Sequence, residues 1–473
     1  MNRLLIITIL TILFILKTYC QSGISESERL FDIWIESKLI NDKWPGAIVG
    51  IVKDQKLVWT KSYGYANLDT KEKIQPETMF AIASNTKMFT AIAIMKLRNQ
   101  GLLNLDDPVY QYVPEFTKLQ SYENAQPDKV TIRHILTHTS GLPVEPWYFN
   151  WKERPYLNEI VKNLEKQTLS LPVSVDFKYS NLGYSILGKV IENVTGQTYE
   201  EYMKDEVLGI IGMTNSGFDI EVRRKYAQGY QRLRGKNKRE EVQLLDYNGW
   251  SPAGGLYTNL EDLTKYVSWL IRTNDGKDTT LLNSETLREM HRVSWVPKSW
   301  SYGIGLGFFI YKHPKKMIGH GGHNPGFKTD ITIFPESQIG IITLTNGEDI
   351  PELPDDSESI AAHVIKYIVP KFIDPPAKEK VTSTYNRHLY EGVFSGYWGE
   401  YKVVEVDGVL TIFRISDKNP DSYKLEFINN NTFRVSSDYF SRWRGEHVLF
   451  KDKVDGEMTK LLMDGTTFYR IKE

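Results

Sequence analysis

Residues 26–346 carry strand signals at both ends and helix signals in the middle, and this order limits the fold more than any other feature of the chain. Strand-forming segments, rich in β-branched residues, lie at residues 47–52, 56–63, 303–311, 330–334 and 339–344. Helix-forming segments lie at residues 88–97, 184–192, 199–207, 259–271 and 284–293. The simplest architecture is an α/β (α+β) fold in which a sheet built from both ends packs against a central helical block.

The chain changes character from about residue 385. Asp-Gly pairs stand between β-prone runs at residues 407–408, 455–456 and 464–465. Such pairs favour the tight turns of β-hairpins, because both residues adopt positive φ angles readily. Several hairpins in a segment this short predict a small antiparallel β-barrel or sandwich.

A linker separates these two regions. Prolines at positions 370, 375 and 376 follow a predicted closing helix at residues 360–369. We therefore predict an α/β domain at residues 26–370, a linker at 371–384 and a β-barrel domain at 385–473. The candidate catalytic residues described below all precede the linker.

The N-terminus has the pattern of a secretory signal peptide. Arg3 gives a positive start, residues 4–16 are apolar apart from two threonines, and Cys20 precedes Gln21. This pattern predicts a signal peptide at residues 1–20 and a secreted or periplasmic protein. The apolar stretch is too short to span a bilayer comfortably, so no stable membrane span is expected after cleavage. Lipid attachment at Cys20 is an alternative, although residues 17–19 match its usual signal poorly.

Charge and cysteine content exclude some classes of partner and cofactor site. Lys and Arg number 58 against 59 Asp and Glu, so no broad basic surface is implied and nucleic acid is not an expected partner. Cys20 is the single cysteine. Cleavage after it leaves a chain with no thiol, disulfide or cysteine metal ligand.

Ser84 and Lys87 stand three positions apart at the start of the apolar run at residues 88–97. Residues at this spacing share one face of a helix, so the amine can reach the hydroxyl and take its proton. The free N–H groups of the first helical turn also favour negative charge. The pair predicts a nucleophile beside its own base. The alternative is an N-capping serine and a solvated lysine.

Two further segments carry groups that such a nucleophile needs. The sequence FKYSN at residues 177–181 places the Tyr179 phenol and the Asn181 amide two residues apart, in a predicted loop before a helix. The sequence GHGGH at residues 319–323 precedes a predicted strand. Its glycines would let another backbone or a substrate approach closely.

His134 and His138 are spaced (i, i+4), as metal ligands on a helix would be, within the sequence TIRHILTHTSGLP at residues 131–143. No Glu lies between them, so the zinc-peptidase motif is missing and we expect a structural role near the site. The aromatic-rich segment at residues 147–151 fits either a substrate cleft or core packing.

Together these motifs resemble the serine β-lactamase and penicillin-binding protein superfamily, in particular its class C-like branch, which also holds D-aminopeptidases, DD-peptidases and esterases. The resemblance covers about residues 45–346 and includes a β-lactamase/DD-peptidase-like sheet. Other matching phrases follow in the family's order: YGYA at 63–66, LDDPV at 105–109, SPAGGL at 251–256 and GHNPG at 322–326. The C-terminal domain resembles the lipocalin-like domain found in part of this family.

The resemblance implies that Ser84 attacks a carbonyl and forms an acyl-enzyme, while Lys87 and Tyr179 together move the protons. The nearby ammonium would hold the phenol partly as phenolate, and because the two groups titrate as a unit, the base is not assigned to one of them. Asn181 would hold the substrate's amide oxygen. The oxyanion would lie between the backbone N–H groups of Ser84 and His323. No metal or organic cofactor is implied.

One motif departs from the penicillin-recognising pattern. His320-Gly321-Gly322 stands where those enzymes carry Lys-Thr-Gly. With His323, the residues His320 and Gly322 are candidate substrate-binding residues, but the motif lacks a permanent cation and the threonine hydroxyl. A β-lactam carboxylate would lose a charge-assisted hydrogen bond there, a kind worth about 1.5 to 3 kcal/mol.

The sequence therefore predicts an exported serine hydrolase that acts on an amide, D-amino-acid peptide or ester bond of a small-molecule or peptide substrate. Two alternatives stay open, a true β-lactamase and a catalytically silent binding protein on the same fold. The presence of Ser84, Lys87, Tyr179 and Asn181 argues against the silent protein, since a scaffold has no need of all four. The oligomeric state stays open as well.

Overall fold

The computed structural model describes residues 28–121, 126–146, 154–220, 225–232, 238–313, 315–350, 359–373, 385–406, 409–414, 422–436 and 443–471. The predicted signal peptide, the aromatic segment at residues 147–151, most of the predicted linker and the Asp407-Gly408 turn lie outside these residues. Within the described ranges, no helix is both long enough and apolar enough to cross a membrane. The chain divides into two compact units, the first ending at residue 374 and the second beginning at residue 375.

The first unit contains both helices and strands. Its helices are α1 (residues 28–41), α2 (Thr86–Asn99), α3 (Ile132–Leu136), α4 (Leu157–Lys162), α5 (Asn181–Thr195), α6 (Tyr199–Met203), α7 (Gly209–Ile211), α8 (Ser251–Gly254), α9 (Leu260–Asn274), α10 (Ser284–Met290) and α11 (Ile360–Tyr367). A π-helical turn at Lys204–Leu208 joins α6 to α7, and a 3-10 turn at Ala83–Asn85 leads into α2.

The strands of this unit are β1 (Gly46–Lys53), β2 (Lys56–Gly64), β3 (Phe80–Ala81), β4 (Gly229–Arg232), β5 (Arg239–Val242), β6 (Tyr257–Thr258), β7 (Gly303–Ile304), β8 (Phe309–His313), β9 (Lys315–Asn324), β10 (Phe327–Phe334) and β11 (Ile339–Thr345). Seven of them form one antiparallel sheet in the order β2-β1-β11-β10-β9-β8-β7. The two ends of the segment meet where β1 pairs with β11, with Ala47 opposite Thr345. The predicted sheet is thus confirmed.

Both faces of the sheet are buried. The side chains of Val49 and Ile51 in β1 lie in a cluster with Phe31 of α1 and Ile360 of α11. Ile48 and Val52, which flank these two residues, lie in the larger cluster of the central helices. Because successive strand residues point to opposite faces, β1 is apolar at nearly every position. The first unit therefore has three layers, with the sheet between α1 and α11 on one side and the helical block on the other.

One predicted strand was wrong in detail, and one strand was not predicted. The continuous strand at residues 303–311 is instead the hairpin of β7 and β8. Gly307 has a φ of 80°, and a Cβ there would lie 2.4 Å from the Cβ of Ala91 in α2, so the chain turns tightly against that helix. Residues 319–323 precede strand β10, as predicted, but they also lie within a strand of their own, β9, where pairing with β8 and β10 keeps the glycines extended.

The second unit is a closed barrel of eight antiparallel strands. They are β12 (Gly392–Gly396), β13 (Gly399–Val406), β14 (Val409–Arg414), β15 (Ser422–Asn429), β16 (Thr432–Ser436), β17 (His447–Val454), β18 (Glu457–Met463) and β19 (Thr466–Ile471). The Asp455-Gly456 turn has φ angles of 52° and 88°, and the Asp464-Gly465 turn has 51° and 68°, as their hairpins require. The rings of Tyr390, Phe433 and Phe450 pack edge to face in its core. The predicted barrel is confirmed.

Candidate active site

Ser84 lies in the 3-10 turn at Ala83–Asn85, at the entrance to α2. Ala83 has a φ of 49°, a left-handed conformation that costs a non-glycine residue about 1 to 3 kcal/mol. The turn is held by the Thr86 hydroxyl, which donates to the Ala83 carbonyl at 2.6 Å, and by the Asn85 amide, which donates to Thr329 Oγ1 of β10 at 2.9 Å. The N-cap of α2 is Asn85, so the N-capping interpretation of Ser84 is wrong.

Lys87, in the first turn of α2, is fully buried. Its Nζ lies 3.1 Å from Ser84 Oγ, 2.7 Å from Asn181 Oδ1 and 2.7 Å from the carbonyl oxygen of Ala253 in α8. The two shorter contacts are to carbonyl oxygens, which can only accept hydrogen bonds. A neutral amine therefore donates its two N–H groups to these oxygens and directs its lone pair at Ser84 Oγ.

Burial makes the neutral form of this amine accessible. Removal of the side chain from water lowers the pKa of Lys87 to about 7, and the Glu145 carboxylate opposes that shift in part. A lysine with this pKa is divided between the ammonium and the amine at neutral pH. It can accept the Ser84 proton without first having to be deprotonated against a large free-energy cost.

This pKa gives a pH prediction. If neutral Lys87 takes the serine proton, kcat/KM for an ester should rise tenfold per pH unit below pH 7 and level off above it, because only the deprotonated amine is competent. The measurement is a pH profile of kcat/KM between pH 5 and 8.5, with the thermal transition checked at each pH. A profile that is flat across pH 7 would show that Lys87 does not titrate in the proton path.

Asn181, the first residue of α5, joins the lysine to a carboxylate. Ser180 caps this helix, its Oγ accepting the Gly183 N–H at 2.9 Å. Asn181 Oδ1 accepts from Lys87, and Asn181 Nδ2 donates to Glu145 Oε1. Because lysine only donates and a carboxylate only accepts, the orientation of the amide is fixed by its two neighbours.

Tyr179 stands beside the lysine on the wall of a pocket. Its ring centre lies 4.9 Å from Lys87 Nζ, and the His138 ring lies against it at 4.3 Å between ring centres. His138 Nδ1 accepts the Ser180 N–H at 3.1 Å, while burial, with a smaller contribution from Lys87, holds its pKa well below the usual value. The neutral imidazole therefore holds the segment that carries Tyr179 and Asn181.

His134 has a separate structural contact, since its Nδ1 accepts the Thr131 N–H at 3.1 Å at the start of α3. In the part of the chain that the structure describes, no group of three or more His, Cys, Asp or Glu side chains is placed to hold a metal ion.

Strand β9 approaches the serine turn without an intervening side chain. A Cβ on Gly322 would lie 2.2 Å from the carbonyl oxygen of Ile82 and 2.8 Å from Asn85 Nδ2. Only glycine allows this contact, and it places the backbone of the next residue, His323, beside the turn that carries Ser84. The His323 side chain lies with Nε2 3.6 Å from Glu348 Oε1.

His320, in the position of the missing lysine, is buried in β9. Burial and the neighbouring Lys87 lower its pKa to about 3. The imidazole therefore stays neutral at physiological pH and offers no fixed positive charge to a substrate carboxylate.

The pocket of about 720 Å³ brings most of these residues together. Its wall includes five residues predicted from the sequence, which are Ser84, Tyr179, Asn181, His320 and His323. Lys87 and Gly322 are buried behind the wall. Six other wall residues were not candidates from the sequence, and they are Glu145, Trp250, Phe309, Asn324, Pro325 and Glu348. Asn324 and Pro325 stand within a matching family phrase, but no motif or spacing singles out the two glutamates.

The first unit has a seven-stranded antiparallel sheet between helical layers. At its pocket, a buried lysine forms a hydrogen bond with the serine of a Ser-x-x-Lys motif. Together these features define the class of penicillin-recognising folds. A family model described as Beta-lactamase matches residues 31–365. The chain belongs to the beta-lactamase family.

Similar proteins agree with this assignment. Protein flp of Staphylococcus aureus (strain MRSA252) is 31% identical over 338 residues, which cover 70% of this chain and 65% of that protein. Beta-lactamase-like protein 2 of Dictyostelium discoideum is 35% identical over 309 residues, covering 62% of this chain and 55% of that protein. The chain thus spans between about half and two thirds of the length of these curated relatives.

Solved structures show the same fold. The octameric penicillin-binding protein homologue from Pyrococcus abyssi has a TM-score of 0.62 and 27% identity, covering 93% of this chain and 99% of its own. A class C beta-lactamase has a TM-score of 0.61 and 21% identity, covering 73% of this chain and 97% of its own. The second likeness concerns the fold alone.

Proposed function

We propose that this protein is an exported serine hydrolase that cleaves an amide, D-amino-acid peptide or ester bond through an acyl-enzyme. The observation that carries the proposal is the set of contacts at Lys87 Nζ. Two carbonyl acceptors hold the amine while its third neighbour is Ser84 Oγ at 3.1 Å. A serine positioned in this way is an activated nucleophile.

In the proposed acylation, Ser84 Oγ attacks the substrate carbonyl carbon and its proton passes to the Lys87 and Tyr179 pair. The oxyanion is bound by the backbone N–H groups of Ser84 and His323, and each such donor contributes about 3 kcal/mol to transition-state stabilisation. The pair then protonates the leaving amine or alcohol as its bond to the carbonyl carbon breaks. Water attacks the acyl-enzyme through the same groups in reverse, which releases the acid and restores Ser84.

The charge of the pocket argues against β-lactam antibiotics as preferred substrates. His320 is neutral and buried, so the place of the usual lysine supplies no cation for a β-lactam carboxylate. The export proposal depends on the signal-peptide pattern at residues 1–20.

A substrate panel tests this proposal. We expect short-chain esters or D-amino-acid amides to have a higher kcat/KM than a chromogenic cephalosporin, by about tenfold or more for one missing charge-assisted hydrogen bond. The matched control is Ser84→Ala, whose residual rate gives the background for each compound. A cephalosporin that exceeds every ester and amide would identify a true β-lactamase. No turnover of any compound above that background would favour a silent binding protein.

A further inference from the structure

His138 binds both residues that flank Tyr179. Its backbone carbonyl accepts the Lys178 N–H at 2.7 Å, and its Nδ1 accepts the Ser180 N–H at 3.1 Å. Residues 177–180, all described in the structure, belong to no helix or strand, so no regular hydrogen-bond ladder fixes this part of the chain. The two bonds to His138 therefore hold the backbone of Tyr179 from both sides.

The imidazole also holds the Tyr179 side chain. The two ring centres lie 4.3 Å apart, with an angle of 31° between the ring planes, and the Tyr184 ring lies 5.2 Å from the same imidazole. His138 is 3% exposed and is not among the described residues of the pocket wall, whereas Tyr179 is. His138 therefore contacts the tyrosine from the protein interior and does not face a substrate.

The hydrogen bond from Ser180 fixes the protonation state of this imidazole. A backbone N–H only donates, so Nδ1 presents its lone pair and the proton of the neutral ring lies on Nε2. A protonated ring would set one N–H against another. Burial, with smaller contributions from Lys87 and His320, keeps the pKa of His138 well below its usual value and favours the neutral ring. Because its one lone pair is taken, the ring has no free site for the proton of Ser84.

The backbone of His138 adopts a conformation that few side chains tolerate. Its φ is 57°, in the left-handed region, where non-glycine residues are uncommon and Asn, Asp and His are enriched. Such a conformation costs free energy and persists where the surrounding contacts hold it. The same residue binds the Tyr179 segment through both its carbonyl and its ring, so the strained backbone lies at the point that positions this segment.

On the basis of the proposed function, we propose that His138 is a positioning residue that holds the Tyr179 phenol in place for proton transfer during acyl-enzyme formation and breakdown. The imidazole takes no proton itself. Its contribution passes through Tyr179, so loss of the Nδ1 acceptor releases the tyrosine segment and lowers kcat. Substrate binding by the rest of the pocket wall changes little.

Asparagine and glutamine at position 138 test the role of the acceptor. In His138→Asn, Oδ1 stands as many bonds from Cα as the Nδ1 of histidine, and asparagine tolerates the left-handed backbone. In His138→Gln, the amide lies one bond further out and loses that geometry. We expect His138→Gln to lower kcat for a short-chain ester by about 10- to 100-fold, the effect of a small misplacement of a catalytic group. His138→Asn should retain kcat within about threefold of wild type, and KM should change by less than about threefold in both variants.

A double-mutant cycle with Tyr179→Phe shows whether the effect passes through the tyrosine. In the Tyr179→Phe background, His138→Gln should change kcat by less than about twofold, because the hydroxyl that it positions is absent. An undiminished loss in that background would show that His138 acts on the fold or on another group, and would overturn the inference. Normal kcat in the single variant His138→Gln would overturn it as well.

His291→Gln is the matched control. His291 is also a buried histidine, and it is not among the described residues of the pocket wall. Its replacement should lower the thermal transition and leave kcat within about twofold of wild type. If His138→Gln lost its thermal transition altogether, His138→Asn would decide the case, since a folded His138→Asn protein with kcat more than about threefold below wild type contradicts the acceptor role.

Failure of this inference is distinguishable from failure of the proposed function. A protein that hydrolyses esters through Ser84, but shows independent effects at positions 138 and 179, contradicts only the role of His138. A folded wild-type protein that hydrolyses no ester or amide contradicts the proposed function, and this inference with it.

Discussion

Replacing Ser84 by alanine should lower kcat by about 10⁴- to 10⁶-fold on any substrate that the wild-type protein hydrolyses, the range seen when a serine nucleophile is removed. The reason is that Lys87 Nζ contacts the Ser84 hydroxyl at 3.1 Å, while its contacts with Asn181 and Ala253 are to carbonyl oxygens, which cannot act as nucleophiles. The substitution deletes one half-buried oxygen, so the fold should be retained. The measurement is single-turnover and steady-state hydrolysis of a short-chain ester.

Ser268→Ala is the matched control for that variant. Ser268 is a buried serine of α9 and is not part of the pocket wall. Its loss should leave kcat unchanged within a factor of about two, as is usual for a site without contact to the reacting groups. Turnover in Ser84→Ala above one per cent of wild type would require a different nucleophile.

Replacing Tyr179 by phenylalanine should lower kcat by about 10² to 10⁴, the usual contribution of a general acid or base. The variant loses the phenolic hydroxyl but keeps the ring, which contacts His138 at 4.3 Å between ring centres. The fold and the position of Asn181 should therefore persist. The measurement is kcat and KM for one ester and one amide, because the amide has the poorer leaving group and depends more on protonation.

Tyr184→Phe is the matched control for Tyr179→Phe. The Tyr184 ring also lies near Lys87, with 5.4 Å from its centre to Nζ, but its hydroxyl donates to the Leu136 carbonyl at 3.2 Å in the core. This change should reduce stability by about 1 kcal/mol, for one buried hydrogen bond, and leave kcat close to wild type. If Tyr179→Phe retained near-normal kcat, Lys87 alone would be the base.

The architecture could be predicted because its signals are local. Strand β1 is predicted by its run of β-branched residues. Strands were also predicted at both ends of residues 26–346, as the sheet requires. The barrel hairpins followed from Asp-Gly pairs, whose positive φ angles are a property of two residues. The break between β7 and β8 was missed because Gly307 turns against Ala91 of α2, a contact that no local pattern records.

The site was only partly predictable, since its electrostatics come from tertiary contacts. Ser84 and Lys87 are visible as a motif, but the pKa of Lys87 depends on burial behind the pocket wall. Glu145 reaches Asn181 and Trp250 across 36 and 105 positions of sequence, and no spacing predicts such a meeting. The neutral state of His320 likewise follows from burial and from the nearby Lys87.

The most direct test of the account is covalent labelling of Ser84 by a fluorophosphonate, followed by intact mass and tryptic peptide analysis. Trypsin releases residues 74–87 as one peptide, in which Ser84 is the single serine. We expect one phosphonyl group per wild-type chain, located on Ser84, and none on Ser84→Ala. An adduct that persists in Ser84→Ala, or an unlabelled wild-type protein that still hydrolyses esters, would contradict it.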